Sequence, residues 1–558
     1  MIAHVLAAAL SIAQEPTPAP AKPQPLFAED PSALPGVRTL SGSREKRYII
    51  EANGGGLVLA DFDGDGDVDL VVIDGSTLER IEKGEKGEPP RLYLNDGTGH
   101  FSLSGETWSM PGGRWGMGGA AGDVNGDGWP DLVVTEWGPD RLFLNQGGKG
   151  FREATEKAGF QGSRWGTSAA FLDYDADGFL DLVVVNYLAF DPNEISPPGG
   201  GCSWKGYPVM CGPEGLTPVH DQLYRGRGDG TFEEVSVPAR FRPAQAGFGL
   251  GVTTLDYDND GDTDVYVSND STPHHLWENR GDGTFEEIGF RRAVSHDGSG
   301  KEQAGMGIGC GDLDGDGRDD LLVTNFSGES NALYLSRGKL GFRERSTYTG
   351  IAGPSLHSLG WGTALADLDL DGDLDAFVVN GHVYPQADNP GTDTSYAQAD
   401  HLYRNGGSGS FSLEPLSDAP PRVSRAAACA DLDGDGDLDI VAIELDGGVR
   451  LLRNRTLPAP SGADRAAGPH WLRVQLRARG GNRSALGARV RAEWEGGART
   501  AEVRTSGGYQ ASVPAEVHFG LGHAPKVRRL AVRWPSGREQ VLEDVAADRV
   551  LAIEEPAD

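Results

Sequence analysis

Apolar and polar positions alternate along this chain in short segments rather than in helical stretches. Small, Gly-rich apolar runs such as WGTSAAFL and FGLGVTTL each lead into an acidic loop, and a β-branched run such as LVVV or VYV follows. That is strand, loop, strand. A third element recurs as RLYLNDGTGHF, RLFLNQGGKGF, QLYRGRGDGTF, HLWENRGDGTF, ALYLSRGKLGF and HLYRNGGSGSF, a strand and a Gly-rich turn ending in a Phe that opens a fourth strand. Four short antiparallel strands in a unit of about 60 residues predict the blade of a β-propeller.

The acidic loop sets the count. Asp, any, Asp or Asn, any, Asp, Gly, two of any, Asp occurs seven times: DFDGDGDVD from Asp61, DVNGDGWPD from Asp123, DYDADGFLD from Asp173, DYDNDGDTD from Asp256, DLDGDGRDD from Asp312, DLDLDGDLD from Asp367 and DLDGDGDLD from Asp431. The starts lie 62, 50, 83, 56, 55 and 64 residues apart, and the 83-residue interval holds the insertion GGGCSWKGYPVMCGP. The expected architecture is therefore all-β, a seven-bladed propeller over residues 44–456. After VRLLRNR no turn-plus-Phe strand appears, so blade seven lacks its outer strand. The spare strand KRYIIE, residues 46–51, is expected to close the ring and hide an edge.

Beyond a linker at 457–469, HWLRVQL, ARVRAEW, RTAEVRT, VHFGL, VRRLAVRW and VLAIEE alternate as strands, which predicts a small β-sandwich over 470–558. From His470 onward there are 14 Lys plus Arg against 11 Asp plus Glu, a net of +3, so the rest of the chain carries −36. The Arg-rich strands could face an acidic partner, dock on the propeller, or simply be solvated.

Composition then narrows the picture. The 82 Gly and 34 Pro among 558 residues argue against long helices. The formal charge of −33 argues against nucleic acid or an anionic membrane surface as partner. MIAHVLAAALSIA, residues 1–13, reads as a secretory signal and 14–43 as a Pro-rich linker, and no later stretch is long and apolar enough to span a membrane. The protein is expected to be secreted or periplasmic. Export would permit a local disulfide between Cys202 and Cys211, two free thiols being the alternative. Cys310 and Cys429 read as small buried hydrophobes.

Carboxylates at alternate positions, a Gly for the bend and a further Asp at position nine suit a hard divalent cation, and so flexible a cage favours Ca²⁺. The candidate ligands are Asp61, Asp63, Asp65 and Asp69; Asp123, Asn125, Asp127 and Asp131; Asp173, Asp175, Asp177 and Asp181; Asp256, Asp258, Asp260 and Asp264; Asp312, Asp314, Asp316 and Asp320; Asp367, Asp369, Asp371 and Asp375; Asp431, Asp433, Asp435 and Asp439. Up to seven ions with a structural role are expected. Position twelve is Val or Ala throughout, which excludes EF-hands. Thirteen residues after each first Asp stand Asp74, Glu136, Asn186, Asn269, Asn325, Asn380 and Glu444, all polar, at the mouth opposite the acidic loops. With Asp270 and His382, and near Trp115, Trp165, Phe248 and Trp361, Asn186, Asn269, Asn325 and Asn380 form a candidate rim for a sugar or peptide; the competing reading is that they cap strand-end turns and the aromatics pack between blades. No nucleophile or metalloprotease motif occurs. A lyase or hydrolase acting on acidic polysaccharide would have to be built from His382, Tyr187 and Arg114, so a binding protein without catalysis is the leading expectation.

The seven loops resemble FG-GAP/VCBS repeats of the integrin α-type propeller. NYLAFD, CSWKGYPVMCGP, DYDNDGDTDVYVSNDSTPHHLW, AGMGIG, LGWGTALADLDLDGDLDAFVVNGHV and AQADHLYRN resemble the cartilage acidic protein family, and NRSALGARV, VHFGLG and WPSGREQ its companion ASPIC/UnbV domain. The resemblance implies an extracellular or periplasmic calcium-binding propeller, with adhesion or matrix association attributed to animal members and no established enzymatic activity. Asn125 in loop two and Gly226, where the third-strand turn usually carries Asn, depart from the pattern.

Overall fold

The computed structural model describes residues 25–195, 200–416, 419–457 and 468–557; the segment read as a signal, 1–13, and most of the linker at 457–469 lie outside them. Seven antiparallel blades surround one axis. Blade one is typical: Gly56–Ala60 innermost, then Asp69–Ile73, Arg91–Asn95 and Phe101–Leu103. The second strands carry Val and Leu because both of their faces are covered; Leu70, Val71 and Val72 are all 0% exposed. Inner strands are built of small residues because they converge on the axis. A Cβ on Gly118 would stand 2.6 Å from the carbonyl of Thr167 in the next blade.

Blades are stapled by a repeated asparagine at the end of the third strand. In five of them, Asn95, Asn145, Asn279, Asn405 and Asn454, the side-chain Nδ2 donates at 2.8–2.9 Å to the second-position carbonyl of the preceding blade's acidic loop: Leu432, Phe62, Tyr174, Leu313 and Leu368. The same amide donates within its own blade, for example from Asn145 to Pro130 at 3.2 Å. Blades three and five have Gly226 and Ser336 at this position and lack the bond.

Blade seven closes on the N-terminus, but not through the strand expected there. Phe27–Glu29, inside the segment read as linker, pairs antiparallel with Val449–Asn454, Phe27 opposite Asn454. Three residues are too short to show alternation. Ile49–Ala52 instead forms a 3-10 turn. The Glu51 carboxylate accepts the N–H groups of Ser43, Arg47 and Tyr48 at 2.8, 2.5 and 3.0 Å, which folds the chain back on itself. Ile50 then enters a buried cluster with Trp115, Trp165, Tyr187, Phe248 and Trp361 that fills the axis at the end away from the acidic loops.

The C-terminal domain is a sandwich of a three-stranded sheet (Glu516–Gly522, His470–Arg477, Arg549–Glu554) and a four-stranded one (Gly497–Glu502, Arg489–Trp494, Lys526–Arg533, Glu539–Ala546). It docks on the acidic-loop end of the propeller. From it a hairpin enters the channel. The Gly508 carbonyl accepts Val252 N–H at 3.0 Å, the Gln510 carbonyl accepts Leu57 N–H at 3.0 Å, and Ala511–Ser512 runs parallel to the innermost strand of blade one. Tyr509, fully buried, donates its hydroxyl to Asn53 at 3.2 Å. The backbone must pass close to its neighbours here: Gly508 sits at φ +78°, and a Cβ on it would meet the Ile308 carbonyl at 2.3 Å.

Asn145→Ala and Asn405→Ala each leave two carbonyls without their donor, and each is expected to lower stability by about 1–3 kcal/mol. Urea unfolding checks this; unchanged midpoints for both variants would contradict the staple.

Candidate metal centres

Each acidic loop is wound by its own backbone amides. The first Asp accepts them from the loop's turn: Asp61 from Gly64 and Gly66 at 2.7 and 3.1 Å, Asp123 from Gly128 at 2.7 Å, Asp367 from Gly372 at 2.8 Å. The sixth-position Gly has φ between 84° and 108° in all seven loops, which explains the residue. The ninth Asp is buried and ties loop to sheet. In loop one, Asp69 Oδ2 accepts Phe62 N–H at 2.9 Å and its Oδ1 accepts Asn95 N–H at 3.0 Å. Asp131, Asp181, Asp264, Asp320 and Asp375 repeat both contacts.

Winding the loop this way gathers negative charge. Asp61, Asp63 and Asp69; Asp173, Asp175 and Asp181; Asp256, Asp258 and Asp260; Asp312, Asp314 and Asp316; and Asp367, Asp369 and Asp371 each place three carboxylate oxygens within 4.8 Å of one another. Oδ1 of Asp173, Asp175, Asp258 and Asp312 is buried with no hydrogen-bond partner. Burial pushes Asp69 up to about 7 and Asp131 and Asp375 to about 8, with neighbouring carboxylates adding to the rise. Bare, these loops must take up protons or a cation. Orphaned oxygens on a flexible, all-oxygen donor set fit a hard divalent cation.

Some cationic charge is supplied by the chain itself. From their own blades, Arg225 pairs with Asp175 and Asp177 at 2.8 and 2.9 Å, Arg453 with Asp439 at 3.0 Å, and Arg404 with Asp369. From the C-terminal domain, Arg473 reaches Asp431 at 3.2 Å, Arg533 reaches Asp256 at 3.2 Å, and Arg499 pairs with Asp373. Arg504 holds Asp319, next to loop five's ninth position, at 2.7 Å. Among the described residues no cationic side chain comes within ion-pair distance of the loop-one carboxylates. Of the three fates open to the Arg-rich strands, docking is the one observed. The hairpin and these contacts were not legible in sequence; the Gly507-Gly508 pair inside a strand-like run was the one local signal.

The opposite mouth is sealed. Asn186, Asn269, Asn325 and Asn380 are at most 1% exposed, and each donates Nδ2 to a nearby turn carbonyl: His220, Pro273, Ser330 and Ala399, at 2.6–3.1 Å. Asp270 Oδ2 accepts the Tyr187 hydroxyl at 2.5 Å. His382 is fully buried, contacts Ser327 Oγ at 3.0 Å, accepts Tyr384 N–H at 3.0 Å, and is pushed down to about 3 by burial. Of these six, expected as a ligand rim, the four Asn are buried turn caps through Nδ2 with Oδ1 left unpartnered, His382 is core, and Asp270 is half-buried and taken up by the Tyr187 and Ser271 hydroxyls; a polar residue ending a buried strand donates to backbone carbonyls first. Trp115, Trp165, Phe248 and Trp361 are buried in the cluster that fills the axis. Arg114 stands apart from His382 at the edge of the same aromatic cluster, its guanidinium 3.9 Å over Trp137. The Cys202–Cys211 disulfide is formed, and its loop crosses from blade three to blade six. There the Trp204 ring packs against His382, tilted, with centroids 4.6 Å apart, and the Tyr207 hydroxyl donates to the Pro390 carbonyl at 2.7 Å.

The FG-GAP-like repeat model matches residues 61–134, 123–184, 214–267, 256–323, 312–378 and 391–442, and the ASPIC and UnbV model matches 478–558. Cartilage acidic protein 1 of Homo sapiens is 28% identical over 320 residues, 55% of this chain and 43% of that protein; the Mus musculus protein is 27% identical over 342 residues, 59% and 47%. The chain thus spans less than half the length of these curated relatives. Among solved structures, an Agrocybe aegerita lectin recognising non-reducing terminal N-acetylglucosamine aligns at TM-score 0.42 and 16% identity, over 71% of this chain and 86% of that one. YCF48 bound to D1 peptide aligns at 0.41 and 9%, over 80% and 99%. Scores of this size carry nothing about ligands. Among the described residues no helix is long and apolar enough to cross a membrane.

Chelation by EDTA is expected to lower the melting temperature, since a cation held at a hundred times its dissociation constant contributes about 2.7 kcal/mol per site. A melt indifferent to EDTA would contradict the metal centres.

Proposed function

Because the chain belongs to the FG-GAP-like repeat family and ends in an ASPIC and UnbV segment, we propose that it is an exported, calcium-stabilised binding and adhesion module that recognises a protein or glycan without turnover. The observation that carries the calcium reading is the set of buried, partnerless carboxylate oxygens in the acidic loops. Ca²⁺ suits them better than Mg²⁺, which demands a stricter octahedron and keeps its waters. Export accords with the Cys202–Cys211 disulfide, which persists in oxidising compartments. Adhesion accords with the cartilage acidic protein relatives.

The partner surface follows from what is already covered. The C-terminal domain lies over the acidic loops and fills the channel with Tyr509 and Gln510, so a partner meets the opposite face. That face presents the disulfide loop and, beside it, a cleft of about 440 Å³ lined by Leu78, Arg114, Trp137, Phe190 and Asn193. Arg114 is its exposed cation.

Screening immobilised glycans and cell-surface proteins, with each hit assayed for turnover, tests this reading. Arg114→Glu is expected to weaken a true hit at least about tenfold, the loss typical of an interface anchor. Binding unaffected by this change and by substitutions in the disulfide loop would remove the assigned face, and product formed from any hit would remove the non-catalytic reading.

A further inference from the structure

Loops one and four share a sequence pattern but not an environment. In loop one, Asp61 accepts only backbone amides, Gly64 on Oδ1 and Gly66 on Oδ2. In loop four, Asp256 likewise accepts two amides of its own turn, Asp260 N–H on Oδ1 at 3.0 Å and Gly261 N–H on Oδ2 at 3.1 Å. The C-terminal domain then adds to it. Arg533 donates to the same Oδ2 at 3.2 Å, Arg489 stands 3.9 Å from it while donating to the Asp256 carbonyl at 3.2 Å, and Glu502 accepts the Asp256 N–H at 3.2 Å. Asp256 is thus gripped through its carboxylate, its carbonyl and its amide by a domain that begins more than two hundred residues later.

Loop four nonetheless keeps the marks of a cation site. Asp256, Asp258 and Asp260 hold their oxygens within 4.8 Å of one another. Asp258, whose side chain is 4% exposed, has a partnerless Oδ1; its other oxygen faces Lys339 at 3.6 Å. A divalent cation drawn in by Asp258 must share Asp256 with Arg533, and two cations in one partly buried loop repel. Loop one imposes no such competition.

We propose that the C-terminal domain sets the calcium affinity of loop four: Arg533 and Ca²⁺ compete for Asp256, so domain docking weakens occupancy of this loop and occupancy weakens docking by the same factor. The proposal rests on the calcium reading above. It divides the seven loops into a free class, of which loop one is the example, and a class held down by the neighbouring domain. Ca²⁺ then acts at loop four as a regulator of the interdomain contact rather than only as a brace.

Calcium titration calorimetry on the full chain tests this, with Ca²⁺ alone as the probe. Arg533 is about a third exposed, so Arg533→Gln and Arg533→Met remove the charge while keeping much of the stem; circular dichroism checks the fold. Both are expected to tighten one class of site about tenfold, within the usual range of coupling between sites. Arg533→Lys is expected to leave the isotherm within about twofold of the parent, and Asp258→Asn added to Arg533→Gln is expected to abolish the tightened site. A parent chain that takes up calcium and gives isotherms superimposable on those of both neutral variants would overturn the coupling alone. Tightening that persists with Asp258→Asn would overturn the assignment to loop four. A chain that takes up no calcium would overturn the calcium reading and the coupling together.

Discussion

Repulsion among carboxylates folded against one another governs this molecule. At an effective dielectric near 20, two unit charges 4 Å apart cost about 4 kcal/mol, and three oxygens crowd each of the acidic loops grouped above. Several such loops left bare would exceed the few kcal/mol by which a domain is stable. The chain answers in layers. Backbone amides wrap the first and ninth Asp, arginines on third strands and on the C-terminal domain supply charge, and oxygens such as Asp173 Oδ1 and Asp312 Oδ1 are left without a hydrogen-bond partner.

That requirement joins the two domains into one object. A face so acidic is a docking surface for a domain of net positive charge, and Arg473, Arg499 and Arg533 settle on loops seven, six and four. Docking in turn positions Thr505–Val513 to enter the channel, where Gly508, Gln510 and Ser512 complete the hydrogen bonding of inner strands from blades one and four. At the far end the axis is closed by different means: Trp115, Trp165 and Trp361 pack around Ile50 and Tyr509, and the disulfide loop spans the outside. The propeller therefore has a polar, carboxylate-rich end and an apolar, sealed one.

Most of the propeller was legible because its repeat is written in residues with one physical job each. The sixth-position Gly takes a left-handed turn, the ninth Asp bridges two backbone amides, and β-branched runs fill sheets covered on both sides. What stayed hidden depends on contacts distant in sequence. The strand at Phe27–Glu29 is three residues long and has meaning only beside Val449–Asn454. Ile49 and Ile50 imitate a strand, but the Glu51 carboxylate gathers three amides and makes a turn. Asn186, Asn269, Asn325 and Asn380 sit where a ligand rim would be, and only their burial shows that turn carbonyls have already claimed them. The asparagine staple was visible as a recurrence, broken at Gly226 and Ser336, yet its partner in the preceding blade required the ring.

Anomalous diffraction from crystals grown in calcium, recorded at long wavelength, would show whether the acidic loops hold the ion. Peaks are expected inside the acidic loops, first beside Asp173 and Asp175 in loop three and beside Asp312 in loop five, with carboxylate oxygens at about 2.3–2.6 Å. Loops without peaks, their orphaned oxygens met only by water or by arginine, would contradict it.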